Sequence, residues 1–466
     1  MSFKETRKSP SRLQRRLWRS LSGLLAALVL LAGLGAWKAE HIRIGAQGYV
    51  FGYPLVIMAI TRDHAALNIA PVNTLYRARA FPDAQFKTVV RPNLDTLYST
   101  AFLDLSHGPL VFEMPANALR YEVMPLLDAW THVFATPGTR THGALGGRYL
   151  IAGPQWQGAV PQGMTLLRSP TAMAWLIGRT QTQGKEDFPL VHRLQDGLHL
   201  RPWVDGQAVS HGPEIQQQKS TATPTPPLVQ MQHMRTVDFF NRLSHLMVAN
   251  PPFADDAPMV QALARIGVQS GQPVTWNGLD QAAVSLGRWI ADFKIAKALQ
   301  ESRAGVNGWS TPPRSLGQYG TDYNTRTAVA MIGLGANLPE DAMYPSTQVD
   351  SAGQALHGRH AYRLHFAAGQ WPPVQAFWSV TAYGLDNFLI DHPAQRHAVG
   401  SLHPLVANAD GSLDLLIQAQ PPQGQLLANW LPVNPDAPFL LNARLYWPQA
   451  KALNGQWQMP AVQRQP

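Results

Sequence analysis

The chain has 466 residues, 45% of them apolar and 14% charged, with no cysteine and a formal net charge of +9. That is material for two or three hydrophobic cores, and the missing cysteine excludes disulfides, thiolate metal sites and a cysteine-linked lipid anchor. The charge sits at one end: residues 1–43 carry nine Lys or Arg against two Glu, a net of +7, leaving +2 for the rest, which lacks the basic stripe of a nucleic-acid binder.

Lys4, Arg7, Lys8, Arg12, Arg15, Arg16 and Arg19 precede an uncharged apolar run from Leu21 to Trp37. A basic flank followed by about 17 apolar residues predicts an export signal retained as an inner-membrane anchor, with the body in the periplasm. Cleavage after Ala36 would instead release the body into the periplasm. Residues 1–43 are assigned to this segment. Ile44 to His64 reads as an apolar helix, with Tyr49, Tyr53 and Ile57 at fourfold spacing, and Pro54 is expected to kink it or mark a second start.

From Phe86 to Gln181 short β-rich runs such as TLYSTAFLDL and RYLIAGP are broken by Pro and Gly, a punctuation that favours a β-sandwich or barrel over βαβ units. Residues 44–204 are therefore expected to form the N-terminal helix and a first β-domain, and the polar, Pro- and Thr-rich stretch 205–227 a linker. A helical region follows over 228–345. Met234, Val237, Phe240, Leu243 and Met247 form one apolar stripe, Pro258 to Val268 a shorter one, and Leu286, Trp289, Ile290, Phe293 and Ala296 a third. Strands return over 346–466 as HAYRLHF, VQAFWSVTAY, SLDLLIQAQ and FLLNARLYW, with a tight turn at Asp410-Gly411.

Three stretches in this order carry a resemblance: VVRPNLDTLYST (Val89 to Thr100), LLDAWTHVFATPGTRTHG (Leu126 to Gly143) and QAFWSVTAYGLDNFLI (Gln375 to Ile390). With them the chain resembles, over about 44–448, a bacterial family known as domains of unknown function 1254 (N-terminal half) and 1214 (C-terminal half). The resemblance implies an α+β, mainly β fold: two jelly-roll-like β-sandwich domains with a helical layer between them, preceded here by the membrane-anchor helix. It also implies a homo-oligomer.

Two clusters carry the candidate chemistry. In the first, Pro92 biases Arg91 towards an extended conformation, and strand alternation puts Thr96, Tyr98 and Thr100 on one face and Leu97, Ser99 and Ala101 on the other. Arg91, Asn93 and Tyr98 are candidate ligand contacts, and Asp95 a candidate acid/base held ionised by an arginine. In the second cluster, alternation would aim Asp128, Trp130 and His132 at one surface, with Arg140 after the Pro137-Gly138 turn. A flat ring beside polar groups is how a cleft takes a sugar or an aromatic, so Trp130 and Arg140 are candidate contacts and Asp128 a second acid/base. The competing reading of both clusters is a network that only satisfies the loops' own polar groups. Trp378, Tyr383, Asp386, Asn387 and Asn429-Trp430 are expected to serve a core or subunit interface.

There is no G-x-S-x-G elbow, no complete dinucleotide fingerprint at Gly333-Leu334-Gly335 and no Ser or Thr after Gly184-Lys185. His360 and His365 would point to opposite faces of a strand, so no metal and no cofactor are expected. The sequence thus leads to an exported, membrane-anchored protein with a small-molecule or glycan ligand in a polar and aromatic cleft, turnover left open. The rival is an oligomeric assembly protein without catalysis. Neither reading involves nucleic acid.

Overall fold

The computed structural model describes residues 12–86, 90–118, 120–204, 206–209, 225–301, 305–311 and 313–466; side chains at 12–34, 37 and 299–301 lie outside that description. Most of the basic flank, Val89 of the first motif and most of the 205–227 linker therefore fall outside the described residues. The side chains of nearly the whole expected anchor do so too.

One helix runs without interruption from Arg12 to Asn68, about 85 Å at the standard rise. The stretch Ile44 to His64, read as an apolar helix, is thus continuous with the helical segment before it. The part of this helix from Lys38 to Asn68 is apolar and long enough to cross a membrane, but most of it is buried inside the protein as a core helix. Pro54 neither ends the helix nor starts a second one. The carbonyl it leaves without an i→i−4 donor, Val50 O, accepts from Thr327 Oγ1 at 2.5 Å, so the neighbouring helix Tyr323–Ile332 repairs the gap.

Helices Pro227–His233, Thr236–Ala249, Ala257–Arg265, Gly278–Glu301 and Tyr323–Ile332 surround that buried stretch. Gly278–Glu301 packs so closely that a Cβ on Gly287 would lie 2.2 Å from Ile42 O, and one on Gly45 would lie 2.9 Å from Val284. Its inward face is Val284, Arg288, Ala291 and Ile295. The apolar stripe read from the sequence points the other way. Leu286, Trp289 and Phe293 are 46%, 65% and 60% exposed, because Gly287 and the small Ala283 and Ala291 make the closer-packing face.

The remaining architecture is mainly β, and the described residues form four sheets with no closed barrel among them. The first pair of sheets is built around Thr96–Asp104 with Met173–Gln181, and around Leu110–Met114 with Gly147–Ala152 and His199–Val204. Ala101, Leu103, Phe112, Ile151, Leu176 and Leu200 fill the space between them. The second pair is built around Trp378–Gly384 with Phe439–Tyr446, and around Tyr362–Phe366 with Leu413–Gln418. Leu364, Val380, Leu415, Leu441, Ala443 and Leu445 form its core. Pairing is antiparallel except where Gly147–Ala152 meets Thr165–Arg168 and Leu413–Gln418 meets Trp430–Pro432.

Candidate functional site

Two strands, one from each sheet pair, turn their second faces towards each other, and the alternation of side chains decides what they present. Thr96–Asp104 buries Ala101 and Leu103 in its own core and puts Thr96, Tyr98 and Thr100 on the outside. Phe439–Tyr446 buries Leu441, Ala443 and Leu445 and puts Leu440, Asn442 and Arg444 outside. Between these faces and the helical layer lies a cavity of about 1350 Å³. Ala328, Val329 and Ile332 close it on the helical side, with Phe81, Pro82 and Phe86 of the loop before the first strand.

Two buried arginines, one from each sheet pair, give the cavity its polar region. Arg179 is 5% exposed, and its donors go to Ile177 O (3.0 Å), Gly335 O (2.8 Å) and Asn337 Oδ1 (2.9 Å). Its guanidinium lies 5.1 Å from the Tyr98 ring centre. Asn337 in turn donates to the Tyr344 hydroxyl at 2.6 Å. Arg444, 3% exposed, donates to Thr381 Oγ1 (3.0 Å), Arg91 O (3.0 Å) and the Tyr383 hydroxyl (2.6 Å). Tyr446 accepts from Asn93 Nδ2 at 2.6 Å. Burial pushes the phenols of Tyr344, Tyr383 and Tyr446 above their ordinary range, so they stand as neutral hydroxyls while the guanidinia keep their charge.

Of the residues proposed from sequence, Arg91, Asn93 and Tyr98 line this cavity. Arg91 is not extended: its φ is +51°. Its N–H donates to Asn387 O (2.7 Å) and its Nε to Asn387 Oδ1 (2.9 Å), so ties to the second sheet pair override the preference imposed by Pro92. Asp95 stands behind the wall, 3% exposed. It accepts from Ser379 Oγ at 2.7 Å. Burial raises its pKa, against the pull of Arg444 and of the Ser379 hydroxyl. It joins the sheet pairs and does not face the cavity.

The second cluster lies elsewhere. Asp128 to His132 is a turn and not an alternating strand: Thr131 N donates to Asp128 O (3.0 Å) with Thr131 at φ +72°, and Asp128 Oδ1 accepts from the backbone of Trp130 (2.8 Å) and His132 (3.0 Å). The carboxylate thus does the turn-capping work for which Asp is favoured. Trp130 is fully buried against Phe51, with the Arg326 guanidinium 5.2 Å from its ring centre. Arg140 makes a two-pronged ion pair with the buried Asp341, Nε to Oδ1 at 2.7 Å and Nη2 to Oδ2 at 2.9 Å. Asp128, Trp130 and Arg140 do not line the cavity, which corrects the expectation that the two clusters share a cleft.

Arg179 and Arg444 were not singled out from the sequence, although a signal was there. Each is a lone cation inside a strand that is otherwise nearly apolar, MAWLIGRTQ and FLLNARLY, and such a position is rarely occupied without a partner or a task. Among the described residues no group of three His, Asp or Glu is placed to hold a metal.

Comparison with known proteins agrees with this layout. Residues 72–202 match the family model described as "Protein of unknown function (DUF1254)", and residues 341–450 match the corresponding DUF1214 model. The crystal structure of the VPA0106 protein from Vibrio parahaemolyticus has the same fold, with a TM-score of 0.68 at 22% identity over 91% of this chain and all of that one. An uncharacterised protein from Burkholderia cenocepacia aligns over 96% of this chain and 97% of its own, at 14% identity and a TM-score of 0.43. No curated protein matches the chain.

Proposed function

The chain belongs to the family that joins DUF1254 to DUF1214, and we propose that it is a small-molecule receptor whose ligand sits between two jelly-roll-like sandwiches. In this reading the helix from Arg12 holds the body at the periplasmic face of the inner membrane. The observation that carries it is the cavity itself: about 1350 Å³, above the usual range of roughly 300–1,000 Å³ for ligand pockets, with two buried arginines at its wall. Aliphatic walls with a few convergent polar groups are the ordinary composition of a binding site. Arg91, Asn93 and Tyr98 belong to it, and Asp95 supports it from behind.

A panel of sugars, organic acids, aromatics and lipids, read by thermal shift on the full chain in lipid nanodiscs, tests the reading. A ligand at about a hundredfold over its Kd adds roughly 2.7 kcal/mol of apparent stability. Ala328→Trp, which places a large ring in the cavity, should abolish that gain. A shift that survives in Ala328→Trp would place the ligand elsewhere and sink the proposal.

One observation favours the assembly reading as a second function. Leu286, Trp289 and Phe293 lie exposed on one helix face, and the two rings stack at 6.1 Å. A self-association surface there predicts a concentration-dependent oligomer that Trp289→Lys dissolves, measured by light scattering.

A further inference from the structure

The cavity wall is of one sign. Arg91, Arg179, Lys294 and Arg444 all reach it, and among the described residues no Asp or Glu does. In a body whose net charge outside the first 43 residues is only +2, this is a local arrangement and not a reflection of composition. The two buried members also lack carboxylate partners within their hydrogen-bonding shells. Arg179 gives three of its five N–H donors to carbonyl and amide oxygens, and Arg444 donates to two hydroxyls and two carbonyls.

A guanidinium taken out of water without a counter-ion costs several kcal/mol. Arg444 has the buried Asp95 behind the wall to answer its charge, whereas Arg179 has only neutral partners, so Arg179 is the half of an ion pair that a ligand could complete. Neutral hydroxyls complete the arrangement: Tyr344 accepts from Asn337, while its own O–H proton goes to none of the described residues and is available to an acceptor in the cavity. The larger part of the remaining wall is apolar, including Ile177, Ile295, Val329, Ile332, Leu334 and Leu440, with neutral polar side chains such as Thr96, Thr100, Asn324 and Asn442 between them. An extended apolar body covers the apolar part of this surface, which a polyhydroxylated ligand would leave unused.

The geometry points to an amphipathic organic anion as the ligand, its single carboxylate or phosphate head held by Arg179 with Tyr98 and Tyr344 and its apolar body lying against the helical wall. The assignment rests on the receptor reading above and narrows it to one chemical class. The planar fork of an arginine suits both head groups, so the test separates them.

Full-length protein in lipid nanodiscs is titrated calorimetrically with decanoate, decyl phosphate, decan-1-ol and maltotriose, empty discs being subtracted. One or both anions should bind roughly tenfold or more tightly than decanol, the size of effect a charge-assisted hydrogen bond produces. The stronger of the two names the head group. Arg179→Gln should bring anion and alcohol together. Because Arg179 also ties down the Gly335 backbone, Tyr344→Phe provides a milder second variant, expected to weaken the anion roughly threefold or more and leave decanol unchanged. Equal affinity for anions and decanol would overturn the anion assignment while leaving a receptor, and so would preferential binding of maltotriose. Failure of all four probes to bind would remove the assignment together with the receptor reading beneath it.

Discussion

The Arg91–Tyr98 and Asp128–Arg140 segments contain the same kinds of residue, an arginine, a carboxylate and an aromatic ring, and they end in opposite situations. In the second, the polar groups serve the protein: Asp128 caps its own turn, Arg140 is paired with Asp341, and Trp130 is closed in by Phe51 and Arg326. In the first, Tyr98 and Asn93 are anchored from behind yet turn part of their surface to an open volume. Residue type alone does not distinguish a tie from a site. The deciding property is whether the polar group's partners all belong to the chain.

Substitutions should separate the two segments by what they disturb. Trp130→Ala should cost most, about 4 kcal/mol, since it empties a fully buried site and strips the Arg326 guanidinium of a ring it lies against. Chemical denaturation would show it, and ligand affinity should not change; an affinity loss in a still-folded variant would return Trp130 to the binding site.

Glu122, whose N–H donates to Thr139 Oγ1 beside Arg140, tests the tie by pH. Burial pushes its carboxyl from 4.5 up to about 7, against a hydrogen bond from Asn117. The folded state therefore holds the proton more tightly than the unfolded chain. The stabilisation this brings is complete below about pH 4.5, is lost as pH rises towards 7, and is absent above. Glu122→Gln should remove that slope and gain about 3 kcal/mol at pH 8 with little change at pH 5. Melting curves at the two pH values that shift equally would refute the assignment.

Arg140→Ala should cost about 2–3 kcal/mol by leaving Asp341 buried without its cation. Arg140→Met with Asp341→Leu should recover part of it, and no recovery would show that the pair also orders its surroundings. The smallest effect on stability belongs to Arg91→Gln, under about 1 kcal/mol for a half-buried side chain, yet this variant should weaken binding of an anion. If stability falls steeply and affinity does not, the first segment is a tie like the second.

The alternation of Thr96, Tyr98 and Thr100 was legible because a strand with one face in a core obeys a period of two over its whole length. So were the first two helical stripes, since Phe240, Leu243 and Met247 of the first and Met259, Leu263 and Val268 of the second do face the core. The third misled for a physical reason: helices that pack closely do so through small residues, so Gly287 and Ala291 mark the buried side and the large rings are left outside. Asp128 to His132 was opaque because nothing in Trp130 or Thr131 favours a turn, and it is the Asp128 carboxylate, with the backbone bonds between Asp128 and both Thr131 and His132, that secures it. The arginine pair could not be located from sequence, since Arg179 and Arg444 come together only when strands 265 residues apart face one another.

The uninterrupted Arg12–Asn68 helix also sets a distance. His64, on the cavity wall, lies 27 residues beyond Trp37, which at the standard rise is about 40 Å along the axis. Under the anchored-receptor reading proposed above, the cavity therefore stands apart from the segment that would meet the membrane. In that reading a ligand would reach the cavity from the aqueous side and not from within the bilayer.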